Sequence, residues 1–279
     1  MSLTGVVQLF VGRPVHPVGA DGRMALSDHL RELRARILKS GLFLLVGFIV
    51  AMFFYDQLLH LVIGPYRHAQ ESLPNGQTQA TTNGAAGGFI LFFKLCGLAA
   101  VIGTAPLWLY QIWAFILPGL HANEKKWSRV FFAVAGPLFL VGIVLGYVTL
   151  PKGLEVLIGF TPAHVTNLVE FNDYLTFFSR TLLGFGIAFE IPVFVVLLNL
   201  AGIVSGKALG QYRPFIIVGV FVFAAVMTPS TDPFTMTFMA VPMVLLFGIS
   251  EVIARLNDRR RGKRDLNEGL SPDEASPLD

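Results

Sequence analysis

From 130 to 151 the chain carries no Lys, Arg, Asp or Glu. A run of that length fits the roughly 20 apolar residues, rising 1.5 Å each, that a helix needs to cross a hydrocarbon core about 30 Å thick. Five further stretches have no charge or a single acid at their centres: about 37–58, 89–115, 175–203, 214–228 and 234–250. In lipid every backbone polar group must be satisfied inside its own segment, so these stretches predict helices. The last two are too short to reach across an average bilayer without deforming it. Only 14% of residues are charged, against about 25% in a soluble domain. The chain is therefore read as an all-α polytopic membrane protein with six transmembrane helices, the fifth and sixth short.

The basic residues set the orientation. Of the 21 Lys and Arg, all but Arg67, Lys94, Lys152 and Arg180 fall on one side of this six-span arrangement. Cytoplasmic flanks carry the positive excess, so both termini are expected in the cytoplasm and the protein in the cell membrane. Three regions are expected: a poorly ordered extension over 1–23, a six-helix domain over 24–256, and a disordered, mixed-charge tail over 257–279. Met24 opens a segment that reads like a natural start of translation, and no cleavable signal is expected.

Several chemistries are excluded by inspection. Gly202, Gly206 and Lys207 resemble a phosphate-binding loop only superficially, because Ala208 stands where a hydroxyl must hold magnesium. All six histidines lie outside the apolar stretches, and Cys96 is the lone cysteine, so no metal or nucleophilic site is expected within the membrane. No cofactor, catalytic residue or nucleic-acid partner is expected. The chain is read as a non-enzyme.

Three polar features need explaining. Glu190 lies in the middle of the fourth apolar stretch, followed by Pro192. An acid there costs several kcal/mol and marks either a functional site or a protonated carboxyl bonded to a neighbouring helix; Pro192 removes a backbone donor beside it. Glu124, in the loop after the second stretch, is either a solvated loop charge or a ligand. Leu26, Leu30, Leu33 and Ile37 recur at one helical face, with Ser27 as the expected N-cap. Glu32 on that segment could simply pair with Arg36 at i+4. Gly142 and Gly146 form a small-xxx-small pair expected at a close helix contact.

The order and spacing of several motifs identify a family. They are His29-Leu30-Arg31-Glu32-Leu33-Arg34, Ala105-Pro106 with Tyr110-Gln111-Ile112-Trp113-Ala114-Phe115, Glu124-Lys125-Lys126, Phe185 to Pro192, and Thr228-Pro229 with Asp232. Over residues 24–256 the chain resembles the TatC family, the polytopic subunits of the twin-arginine protein translocase. The resemblance implies a core receptor subunit that binds twin-arginine signal peptides at its cytoplasmic face and exports folded proteins using the proton motive force. The signal-peptide site so implied comprises Glu124 and Glu32, with Arg34, Phe115, Leu120 and Lys125 as further members. Glu190 and Pro192 are implied in contact with single-span partners of the TatA and TatB type. Pro65, Pro106 and Asp232 are read as structural positions. Signal peptides, membrane lipids and further copies of the chain complete the expected partners. Carboxylates suit this task because they accept the fork of a guanidinium, which Lys cannot offer.

The sequence departs from the family pattern at Lys125 and Lys126, where Arg is common, in a Gln-, Thr- and Gly-rich insertion over 76–88, and in its N-terminal extension. A proton-coupled small-solute carrier is the alternative function, motivated by the mid-membrane acid. A purely structural membrane scaffold is a second.

Overall fold

The computed structural model describes residues 26–71, 78–82, 84–116, 125–162, 167–200, 202–227 and 233–267. Nine helices and two short strands are found among them: α1 (Leu26–Phe53), α2 (Tyr55–Glu71), β1 (Thr78–Thr81), α3 (Gly87–Gly103), α4 (Ala105–Ile116), α5 (Lys125–Gly159), β2 (Asn167–Glu170), α6 (Phe171–Leu200), α7 (Gly206–Gln211), α8 (Arg213–Met227) and α9 (Pro233–Asn267). Four helices are long and apolar enough to cross a membrane, and a fifth crossing results if the bent pair α3–α4 is one span. The short apolar α8 stands beside these. The fold divides into two compact units, the first up to Gly186 and the second from Ile187.

In the first unit, α1 lies along α3 and α4, while α5 packs on both α2 and α4. The core centres on Leu95, Cys96, Ala105, Phe139, Leu150, Leu175 and Phe178, all nearly fully buried. The N-terminal amphipathic segment is not a separate helix but continues into the first span, and Ser27 lies in its first turn instead of capping it. Helix α1 breaks at Phe54, whose N–H donates to the Ala51 carbonyl at 3.1 Å. Beyond the first apolar stretch the chain stays helical, α2 running as far as Glu71. Pro65 lies inside that helix and has no N–H for the Leu61 carbonyl. The Tyr147 hydroxyl of α5 donates to that carbonyl at 3.0 Å, and the Tyr174 hydroxyl donates to the next one, on Val62, at 2.6 Å.

Two linkers pair as a parallel ladder, β1 with β2, in the register Thr78 to Asn167 through Thr81 to Glu170. This small sheet adds to an otherwise helical fold, and part of the 76–88 insertion is thereby ordered. Tyr66 and Gln70 of α2 tie it down through hydrogen bonds to Thr78 at 2.9 Å each.

Gly142 and Gly146 make the close contact their spacing predicts. A Cβ on Gly142 would fall 2.6 Å from the Phe185 carbonyl oxygen, and one on Gly146 would fall 3.2 Å from the Phe185 side chain.

The second unit packs α9 against α7 and α8, with Met239, Ala240, Ala224, Leu197, Asn199 and Ala254 almost wholly buried. Helix α6 ends in a Schellman arrangement. Gly202, at φ 74°, donates to the Asn199 carbonyl, and Ile203 donates to the Leu198 carbonyl, both at 2.9 Å. Ser205 then caps α7 by accepting from the Ala208 N–H at 3.1 Å.

The fifth apolar helix, α8, is short as expected, at 15 residues. The sixth is not: α9 runs for 35 residues, through the expected boundary at Asn257 and on to Asn267. The apolar stretch does end at Ser250, but the polar residues beyond it are bonded into the unit. The Asp258 carboxylate accepts from Asn199 Nδ2 and from the Gly206 N–H, both at 2.7 Å. Arg, Lys and Leu, which dominate the sequence beyond, are good helix formers.

Candidate functional site

Helix α1 is turned so that its apolar stripe faces away from the protein. Leu30 is 56% exposed and Ile37 is 61% exposed, whereas Ala35, on the other side, is buried. At 100° per residue, Glu32 falls on the inward side with Ala35. Its side chain is only 14% exposed.

Arg36, one turn later, engages a single oxygen of that carboxylate. Nε donates to Glu32 Oε1 at 3.0 Å, and Nη2 donates to the same oxygen. Glu32 Oε2 is enclosed and has no hydrogen-bond partner among the described residues. A carboxylate oxygen without a donor in a closed setting is costly, and one already polarised by a guanidinium on its other oxygen is suited to a second guanidinium.

One turn before Glu32, His29 stacks on Phe115, with ring centroids 4.3 Å apart and planes 14° from parallel. This contact brings the end of α4 against the start of α1. Helix α4 reaches that place because it leaves α3 at a bend of 59°. Thr104 holds the corner: its hydroxyl donates to the Ala100 carbonyl at 2.7 Å, and its own carbonyl accepts from Leu107 and Trp108. The Trp108 indole N–H bridges back across the bend to the Val101 carbonyl at 2.8 Å. Pro106 sits in the first turn of α4, where a missing N–H is tolerated, and would contact a Cβ on Gly136 of α5 at 3.4 Å.

Phe115 is thus brought against His29, one turn before Glu32, with Pro106 in the supporting turn. Arg34 is not part of the cluster; two residues on from Glu32, it lies exposed on the opposite side of α1. Lys125 is the first residue of α5, and its side chain, like Leu120, Glu124 and Asp232, lies outside the described residues. In the second unit Glu190 lies within α6 with both carboxylate oxygens enclosed, and Pro192 is buried one turn-half beyond it. Pro65 serves the α2 contact described above.

Sequence reasoning passed over a second polar cluster. Glu251 of α9, 4% exposed, accepts from Arg213 Nε at 3.0 Å and from Arg213 Nη2 at 2.7 Å. It also accepts from Arg255 Nη2 at 2.7 Å. Helix α7 lets α9 this close because Gly206 and Gly210 carry no Cβ; one on Gly206 would fall 2.6 Å from the Arg255 backbone nitrogen. The signal available in the sequence was Glu251 placed i,i+4 before Arg255 at the end of an apolar stretch.

With this geometry in view, a family model described as Sec-independent protein translocase protein (TatC) matches residues 28–242. A Sec-independent protein translocase protein TatC from Frankia casuarinae is 41% identical over 93% of this chain and 74% of its own length. That of Escherichia coli is 35% identical over 82% of this chain and 88% of its own. A crystal structure of a twin-arginine translocase receptor, TatC, superposes with a TM-score of 0.71 at 30% identity, covering 83% of this chain and all of the other.

Proposed function

Since this chain belongs to the TatC family of Sec-independent protein translocase proteins and so serves protein transport as a multi-pass membrane protein, not as an enzyme, we propose that it is the signal-peptide receptor of its translocase. Twin-arginine signal peptides bind at its cytoplasmic face, with Glu32 and Glu124 accepting the two guanidinium groups. The observation that carries this reading is the Oε2 of Glu32, enclosed and without a hydrogen-bond donor among the described residues, one turn from the His29–Phe115 stack. Phe115 and His29 offer a flat apolar flank to the peptide next to its arginines. Glu124 directly precedes the first residue of α5, and Leu120 and Lys125 border it in sequence. Arg34, on the outer face, contributes through lipid headgroups.

The topology that goes with this reading has six spans and both termini in the cytoplasm. The bent pair α3–α4 forms one span and the short α8 another, in the cell membrane. Glu190 and Pro192 contact single-span partners of the TatA and TatB type, several copies of the chain assemble with them, and the proton motive force drives export of folded cargo.

The test is binding of a fluorescently labelled twin-arginine peptide, and of its twin-lysine counterpart, to the full chain in nanodiscs. Arginine-dependent binding that weakens about tenfold or more in Glu32→Gln and in Glu124→Ala is the expected result, the loss being that of a charge-assisted hydrogen bond. Equal affinity for both peptides, or affinity unchanged in both variants, would overturn the proposal.

A further inference from the structure

The proposed peptide site uses no residue of the Arg213–Glu251–Arg255 cluster, which lies at one end of a groove. Arg213, Ile217, Val244, Gly248, Val252 and Arg255 line this cavity of about 710 Å³ between α8 and α9. Apart from the cluster itself its walls are apolar.

Three properties of the groove define what fits it. First, two guanidinium groups share one carboxylate, so the mouth keeps a net positive charge. Arg213 and Arg255 are 54% and 51% exposed, while Glu251 is 4% exposed. Each guanidinium carries five N–H donors in a fork, and those not aimed at Glu251 remain for a ligand oxygen. Second, the cluster stands where both apolar stretches end: Arg213 opens α8, and Glu251 follows Ser250 in α9. That is the headgroup level of a bilayer. Lys207 on α7 and Arg259 and Arg260 further along α9, all exposed, add to the positive field. Third, Ile217, Val244 and Val252 continue the groove from the charged mouth as an apolar wall, and Gly248 leaves it open, since a Cβ there would meet nothing within 4 Å.

A fork of donors above an apolar channel is complementary to a phosphodiester carrying an acyl chain. We propose that this groove is a binding site for one anionic phospholipid, its phosphate held by Arg213 and Arg255 and one acyl chain lying against Ile217, Gly248 and Val252. Glu251 sets the strength of the site by holding both guanidiniums in place while cancelling one of their charges. The inference does not depend on the peptide-receptor reading and uses none of its residues.

The experiment is native mass spectrometry of the full chain in a non-ionic detergent, titrated with phosphatidylglycerol or phosphatidylcholine of identical acyl chains. The wild type is expected to retain one phosphatidylglycerol in preference to phosphatidylcholine. Replacing the whole cluster at once, Arg213→Gln, Glu251→Gln and Arg255→Gln, leaves no buried charge unpaired and should remove the preference, a loss of about fivefold for the net charge withdrawn. Glu251→Gln alone should raise retention of phosphatidylglycerol. Gly248→Leu, whose Cβ meets nothing within 4 Å, places side-chain atoms in the groove and should lower retention without lowering the melting temperature. Equal retention of the two lipids by the wild type would overturn the site. So would a preference that survives the triple change, or a Gly248→Leu chain that loses a co-purifying partner helix but keeps its lipid.

Discussion

Gly142 illustrates how little room a single residue has in the first unit. A methyl group there would collide with the Phe185 carbonyl at 2.6 Å, and backbone cannot rotate away as a side chain can. Gly142→Ala should therefore destabilise the protein by about 1–3 kcal/mol, seen as a lower melting temperature in detergent, whereas Gly97→Ala, with nothing within 4 Å, should be neutral. Tyr147→Phe should cost about 1 kcal/mol by leaving the Leu61 carbonyl without its donor. At this scale the sequence was readable where partners are close along the chain. Glu32 and Arg36 lie one turn apart, and Gly142 and Gly146 mark their own contact. Glu251 was not readable, because Arg213 lies 38 positions away and each had an adequate local explanation as a flanking charge. Nor could spacing alone reveal that Arg34 faces outward while Glu32 faces inward, since that depends on what α1 packs against.

The elements show the same division between local and tertiary causes. Helix α8 was legible almost to the residue, because Arg213 and the end of the apolar run bound it on both sides. The bend between α3 and α4 was not, since an apolar stretch over 89–115 reads equally well as one straight rod. Thr104, which closes the corner by bonding back to Ala100, together with Pro106, makes the break. Replacing both, Thr104→Ala with Pro106→Ala, restores an N–H and removes the competing hydroxyl, so the pair should straighten. Spin labels at Gly88 and Ala114, measured by double electron-electron resonance, should then move apart by about 5 Å at 1.5 Å rise per residue. An unchanged distance would place the cause of the bend in the packing of α4 on α5. Helix α9 overran its expected end for a tertiary reason also: Asp258 finds Asn199 and the Gly206 N–H waiting for it, and no local window of sequence holds Asp258 together with either of them.

For the whole molecule, topology is the property that composition constrains and geometry alone does not. The single cysteine is fully buried, so new cysteines can be read against a silent background. Ala85→Cys, exposed after the β1 linker, should react with a membrane-impermeant maleimide in intact cells, and Arg260→Cys should react only after the cells are opened. The reverse pattern would invert the proposed orientation. The six-span count was drawn from the sequence by treating every apolar stretch alike. Among the described residues four helices qualify by length and composition, one bent pair qualifies jointly, and α8 falls short. For α8 to cross, as the proposed topology has it, neighbouring lipid must deform, which costs less than unwinding a helix in hydrocarbon.

Leu30 and Ile37 turn outward at the same level as Glu32, which has a consequence for any ligand that Glu32 holds. Among the described residues no protein covers that outer face, so the helix that presents Glu32 is backed by the bilayer and not by a neighbouring helix. The position of Glu32 is then set partly by hydrocarbon, whose thickness and fluidity enter the binding constant alongside the side chains. An affinity measured in a detergent micelle and one measured in a bilayer are properties of two different receptors, assembled from the same polypeptide.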